Sequence, residues 1–180
     1  MAVPASNRPA RTPPPALDAA ALDRLALRYV EKFATSTGKL TQYLQRKLRE
    51  RGWAGEGAPD PAGVAARMAA LGYVDDRGFA EAKGASLGRR GMGARRVAEA
   101  LRAAGIAEED AADVLDAARD DAFARALTLA RRKRIGPFAT VPADEKLRAR
   151  HFGQLLRAGH DPALARRLVE AAPGEIPPAP

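Results

Sequence analysis

The sequence predicts an all-α fold of three tandem three-helix repeats forming an elongated, curved helical module. Three observations point to it. Apolar residues recur at steps of three and four along nine segments, which places them on one face of a helix. The β-branched residues Val, Ile and Thr are thinly scattered and nowhere alternate over the length of a strand. A phrase of leucine, three residues and glycine recurs at Leu48 and Gly52, Leu101 and Gly105, and Leu155 and Gly159, with successive spacings of 53 and 54 residues.

The segments follow in order. Asp18 is placed to cap the first, whose face is Leu22, Leu25, Ala26, Tyr29 and Phe33. Leu40, Leu44 and Leu48, with Tyr43 beside them, form the second, which Gly52 ends in the left-handed conformation. A loop of small residues, 54–58, leads to Asp60-Pro61, an N-cap followed by proline at the first helical position, and Val64, Met68 and Leu71 give the third face. Asp75 or Asp76 caps the fourth, with Phe79, Ala82 and Leu87 apolar. Past Gly91-Met92-Gly93, the fifth runs through Val97 and Leu101 to Gly105. Ala107 is a poor cap for the sixth, which carries Ala111, Val114, Leu115 and Ala118. Phe123, Ala126, Leu127 and Ala130 mark the seventh; Leu147, His151, Phe152 and Leu155 the eighth; Asp161-Pro162, Leu164, Leu168 and Val169 the ninth. Trp53 and Tyr73 each follow a helix end and are read as staples on the next turn.

Each recurrent glycine ends the middle helix of a set, and a period this long argues for three-helix units that need neighbours to bury their faces. The boundaries are 17–74, 75–119 and 120–172, between proline-rich tails at 1–16 and 173–180 that bury too little apolar surface to offset ordering entropy.

Thirty Lys and Arg stand against 22 Asp and Glu, a net charge of +8 that favours anionic partners. With no cysteine, disulfides, thiolate nucleophiles and Cys-ligated metal sites are excluded. His151 and His160 have no metal-binding pattern around them; His151 sits at a core-facing step. No apolar run is long enough to span a bilayer, and the first fifteen residues lack the apolar core of a secretory signal, so the chain is expected in the cytoplasm.

Cations gather in three places, about one per repeat: Arg46 and Lys47 with Arg49 and Arg51; Lys83, Arg89, Arg90, Arg95, Arg96 and Arg102; and Arg131, Arg132, Lys133 and Arg134. Such spacing suits extended contact along a polymer better than a single small-ligand pocket. At the end of the seventh helix the cations also complement the helix dipole. Gly88-Arg89-Arg90-Gly91 has the GxxG form of KH domains without their strands, and no Lys-Ser or Lys-Thr follows to make a phosphate loop. The acids from Glu108 to Asp121 lie on a regularly spaced polar face beside Arg119 and Arg125, which reads as solvated rather than catalytic. Nothing combines a nucleophile, a base and an oxyanion site. No enzyme, metal or cofactor is expected.

The segment LGYVDDRGFAEAKGASLGRRGMGARRVAEALRAAGI, residues 71–106, resembles the RecX regulatory protein family. Leu71, Gly72, Tyr73, Asp75, Asp76, Phe79, Ala80, Glu81, Arg90, Gly91, Gly93, Arg96, Leu101, Gly105 and Ile106 stand at the matching places, and a looser likeness covers residues 22–171. Ala94 departs from the family's glycine–proline corner, and Ala107 from its usual acid or serine. The resemblance implies a monomeric, non-catalytic module. It would dock in the groove of the RecA–single-stranded DNA filament and curb ATP hydrolysis, strand exchange and coprotease activity, in recombinational repair and the SOS response. Its site would be twelve of these cations: Arg46, Lys47, Lys83, Arg89, Arg90, Arg95, Arg96, Arg102, Arg131, Arg132, Lys133 and Arg134. Two other readings of the residues stay open: a helix–turn–helix protein binding DNA directly, and a helical adaptor for another protein with no DNA involved.

Overall fold

The computed structural model describes residues 15–179; the proline-rich stretch expected at the N-terminus lies mostly outside them. Among the described residues the regular structure is helical: α1 (Ala19–Val30), α2 (Thr37–Arg51), α3 (Pro61–Ala70), α4 (Asp76–Arg89), α5 (Ala94–Ala103), α6 (Glu108–Asp120), α7 (Ala122–Lys133), a 3-10 turn (Gly136–Phe138), α8 (Glu145–Arg157) and α9 (Pro162–Glu170).

Local chemistry fixes most helix starts. Asp18, Ser36, Asp60, Asp75, Asp144 and Asp161 each accept a backbone N–H from the first turn that follows. Caps of this kind stabilise a helix by about 1 kcal/mol each. Asp75 is the cap of α4, which leaves Asp76 free to accept from Thr37 N at 2.7 Å, at the start of α2. Ala107 makes no side-chain cap, as expected, and the three acids opening α6 favour its positive end instead.

Buried side chains fall into three clusters. Leu22, Ala26, Leu40, Leu44, Val64 and Met68 join α1, α2 and α3. Ala80, Leu87, Val97, Leu101, Ala111 and Ala118 join α4, α5 and α6. Ala126, Leu129, Leu155, Leu164 and Leu168 join α7, α8 and α9. Met92 packs against both the second and the third cluster.

Several expected core positions lie elsewhere. Phe33 falls beyond the end of α1 and Leu71 at the close of α3; they are 56% and 68% exposed. Tyr73 is exposed rather than a staple, because the turn at Gly72 (φ +77°) sends Val74 inward in its place. Ala82 faces solvent, and the buried side of α4 is Ala80, Gly84 and Leu87. Gly84 belongs there because a Cβ would run into the Val114 side chain of α6. Leu147 is partly exposed near the start of α8.

Gly52 ends α2 with positive φ but extended ψ, not the left-handed helical conformation. The chain is thereby steered alongside residues 15–17, where Leu17 N donates to Gly52 O and Ala54 N to Leu17 O. Arg51 clamps the Pro15 carbonyl with two N–H groups at 2.8 and 2.7 Å. Leu17 is thus buried in the first core instead of closing a free tail. At the other end Gly174 N donates to Pro137 O, and Arg167 to Pro178 O, so residues 173–179 are tied back onto the third core.

The cores join through helix ends. Ser36 both caps α2 and donates its hydroxyl to Ala104 O at 2.6 Å, at the end of α5. There Gly38 lies so close that a Cβ would sit 2.6 Å from Ala104 O and from Gly105 Cα. At the second junction Gly93 N, starting α5, donates to Ala158 O at 2.9 Å, at the end of α8. A Cβ on Gly93 would stand 2.6 Å from the Gly159 carbonyl carbon. His160 Nε2–H donates to Gly91 O at 2.9 Å in the same junction, and its Nδ1 is buried with no partner. Burial, chiefly, and the Arg125 charge hold this imidazole below its ordinary pKa, against the opposing bond to Gly91.

Two predictions follow from these junctions. Gly93→Ala should cost about 2–3 kcal/mol by overpacking against backbone, whereas Gly72→Ala, in open space at positive φ, should cost about 1–2 kcal/mol of conformational strain. Urea denaturation of both variants checks this, and equal losses would refute the close contact at Gly93. The second concerns pH. The unfolded chain protonates His160 near pH 6.5, while the folded chain resists it until lower pH. The stability held by the neutral imidazole is therefore complete above that value and lost as pH falls through the depressed folded pKa. The urea midpoint should drop between pH 7.5 and 5.5, and drop less in His160→Gln. A residual slope remains because His151, also buried and depressed by burial first and Arg150 second, acts in the same direction.

Candidate functional site

The twelve candidate cations divide by what each already holds. On α2, Arg46 and Lys47 both reach Glu50, at 3.6 and 2.6 Å, and flank the Tyr43 ring. The Lys47 hydrogen bond, above all, holds the Glu50 carboxyl below its ordinary pKa. No hydrogen bond or ion pair among the described residues connects these two cations to the other ten.

On α4, Lys83 is half-buried in a cleft of ≈ 630 Å³ between the first and second cores, shared with Lys39, Tyr73 and Phe79. Arg89 and Arg90 are exposed at the end of the same helix. On α5, Arg95 donates to Leu156 O at 2.7 Å, across the junction with α8. Arg96 pairs with Glu99 at 3.0 Å, and Arg102 lines a cleft between α5 and α6 with Arg119.

The α7 cluster divides as well. Arg131 stands over the Phe138 ring at 4.9 Å, and Arg132 donates to Arg90 O at 2.8 Å, bridging α7 to the end of α4. Lys133 is exposed, and Arg134 ends the helix in the left-handed region (φ 54°), a conformation in which a non-glycine residue is strained. Arg95 and Arg132 thus act on carbonyls at helix C-termini, where a cation complements the dipole. Arg89, Arg102, Lys133 and Arg134 make no ion pair among the described residues.

At the α4–α7 seam, where Arg132 holds the Arg90 carbonyl, Arg89 shares a cleft with a cation that sequence reasoning set aside as part of a solvated face. Arg125 has a side chain only 11% exposed, with Nε and Nη1 buried and unpartnered. Its guanidinium lies against Gly88, where a Cβ would stand 3.0 Å from Nη1. The available signal was Gly88, a glycine inside α4 whose missing Cβ leaves room for the guanidinium opposite.

Of the α6 acids, Asp116 pairs within the helix with Arg119 and Asp113 reaches across to Arg77 of α4, all with exposed side chains. Among the described residues no three acids or histidines are grouped to hold a metal ion, and no helix is long and apolar enough to cross a membrane. The geometry is one of exposed guanidinium and ammonium groups on helices whose ends are joined by backbone contacts.

One consequence separates structural from free cations. Arg95→Ala should lower stability by about 1 kcal/mol, the net value of a charged bond to a carbonyl, while Arg102→Ala should stay within about 0.5 kcal/mol of the parent. Equal urea midpoints for the two variants would contradict this division.

No family model matches the chain. Individual relatives do. Regulatory protein RecX of Myxococcus xanthus (strain DK1622) is 31% identical over 160 residues, covering 84% of this chain and 86% of that protein. Regulatory protein RecX of Agrobacterium fabrum (strain C58) is 34% identical over 86 residues, covering 48% of this chain and 46% of that protein. The first likeness runs through all but a small part of both chains, so it takes in the helices and junctions together, and the chain belongs to the RecX family of regulatory proteins.

Proposed function

We propose that this chain regulates RecA recombinase by lying along the RecA–single-stranded DNA filament as a monomer, in the cytoplasm and without chemistry of its own. The helices form three tandem three-helix repeats, residues 17–74, 75–119 and 120–172, in an elongated, curved module. The observation that carries this reading is the pairing of family with surface. A RecX relative is matched over most of its length, and each of three separate cores presents exposed cations on its own helices. A filament repeats its protomers at a fixed step, and spaced cations on rigidly joined cores meet acidic surfaces of successive protomers, or the phosphates between them, at a matching step. Bridging protomers biases the filament toward the state that accommodates the bridge, which slows ATP turnover, strand exchange and coprotease activity when that state is the inactive one.

Direct reading of duplex DNA by the α4–α5 pair fits less well. A reading helix inserts its N-terminal turn into the groove. Here that turn of α5 is covered by the end of α8, where a Cβ on Gly159 would stand 2.7 Å from the Arg96 Cβ.

The test is DNA-dependent ATP hydrolysis by the cognate RecA on single-stranded DNA, with this protein added below filament stoichiometry. The rate should fall several-fold. The effect should weaken in the triple variant Arg96→Ala, Arg102→Ala, Lys133→Ala, whose side chains hold no backbone carbonyl of the fold. An unchanged rate alongside tight binding to naked duplex DNA would overturn the proposal in favour of direct DNA recognition.

A further inference from the structure

Arg125 presents an unusual electrostatic situation. Its guanidinium is about nine-tenths buried, two of its three nitrogens have no partner, and its nearest carboxylate oxygen, on Asp121, stands at 3.7 Å, beyond hydrogen-bonding distance. A cation taken out of water without a close counter-charge is costly. The side chain is held there because Gly88, lacking a Cβ, gives it a slot against α4.

The slot opens into a cleft of ≈ 340 Å³ lined by Ala85, Gly88, Arg89, Asp121, Arg125 and Thr128, among others. Arg89 comes from α4 and Arg125 from α7, so two arginines on different helices line one cleft. The cleft's own carboxylate, Asp121, is 62% exposed. The Thr128 hydroxyl is spent on Ala124 O.

We propose that this cleft is a binding site for a phosphate-type oxyanion, held between Arg89 at the rim and Arg125 beneath it. A planar carboxylate pairs edge to edge with one guanidinium. A tetrahedral oxyanion has oxygens directed to both helices at once. Binding supplies Arg125 with the counter-charge that Asp121 does not bring within reach, and it ties α4 to α7 across the boundary between the second and third cores. The phosphate can be a free ion or a phosphodiester of a polynucleotide backbone. The site stands on its own geometry and needs no RecA.

The experiment is thermal unfolding of the full chain in inorganic phosphate or pyrophosphate against sodium chloride of equal ionic strength. At about ten times the dissociation constant the midpoint should rise by about 3–6 °C. The rise should disappear in Arg89→Ala, a surface substitution that leaves the fold intact, and in Gly88→Ala, which displaces the Arg125 guanidinium. Competition by a thymidine oligonucleotide assigns the site to backbone phosphates, and phosphate binding without such competition assigns it to the free ion. No rise beyond chloride, an undiminished rise in Arg89→Ala, or an equal rise in acetate would each overturn the proposal. None of these outcomes bears on the RecA ATPase test, so the two readings fail separately.

Discussion

Backbone-to-backbone contact between helix ends is the constraint on which the rest of this molecule depends. Each core is small, and Met92, packed against the second and third alike, is the side chain shared between two of the buried clusters. The cores also meet where the start of one middle helix is pressed on the end of another: Gly38 on Gly105, and Gly93 on Gly159. At each contact N–H or O–H groups at a positive helix end face carbonyls at a negative one, so the dipoles agree as well as the shapes. Ser36 and Gly93 show two solutions to one problem. The serine hydroxyl caps its own helix and reaches across to Ala104 O, whereas the glycine sends its backbone N–H to Ala158 O.

Glycine at these points is demanded twice. Gly105 and Gly159 have φ of +68° and +88°, which L side chains rarely adopt, and each also faces backbone too close for a Cβ. A residue needed only for its conformation could be exchanged for asparagine at modest cost. A residue needed also for its emptiness cannot. The recurring leucine, three residues and glycine therefore mark more than helix ends: the last two of the three occurrences mark where cores meet. The first, Gly52, meets the N-terminal segment instead, and its extended ψ reflects that different partner.

The fold class and the helix order were legible because they rest on local rules, namely apolar spacing, aspartate caps and glycine stops. Phe33, Leu71 and Ala82 were placed wrongly for a different reason. Spacing gives a face, but where a helix ends and which neighbour covers the face are tertiary facts. Gly84 shows this best, since a glycine scores as neutral in any apolar pattern yet is buried because Val114 fills its space. Of the candidate site, the clusters of cations were legible, and their roles were not. Arg95 and Arg132 read as free charges in sequence, but each binds a carbonyl more than forty residues away, which no local pattern encodes. Arg125 was hidden among acids that its guanidinium barely touches.

This division of the arginines couples the surface to the frame. Arg95 and Arg132 cross the boundaries between cores; Arg96 and Arg102 share α5 with Arg95, and Arg89 precedes the Arg90 carbonyl that Arg132 holds, each free or paired only to a local acid. An acidic partner drawn to the free cations would arrive next to the ones that hold the junctions. If it captured Arg95 or Arg132, a carbonyl at a helix end would lose its donor. If it left them alone, it would add a counter-charge next to a surplus of +8 and reduce the self-repulsion of the surface. One residue type, arginine, thus serves both the charged surface and the cohesion of the cores. Holding part of the positive charge in interhelical bonds steadies small cores and at the same time places cations against helix C-terminal carbonyls, where the dipole favours them.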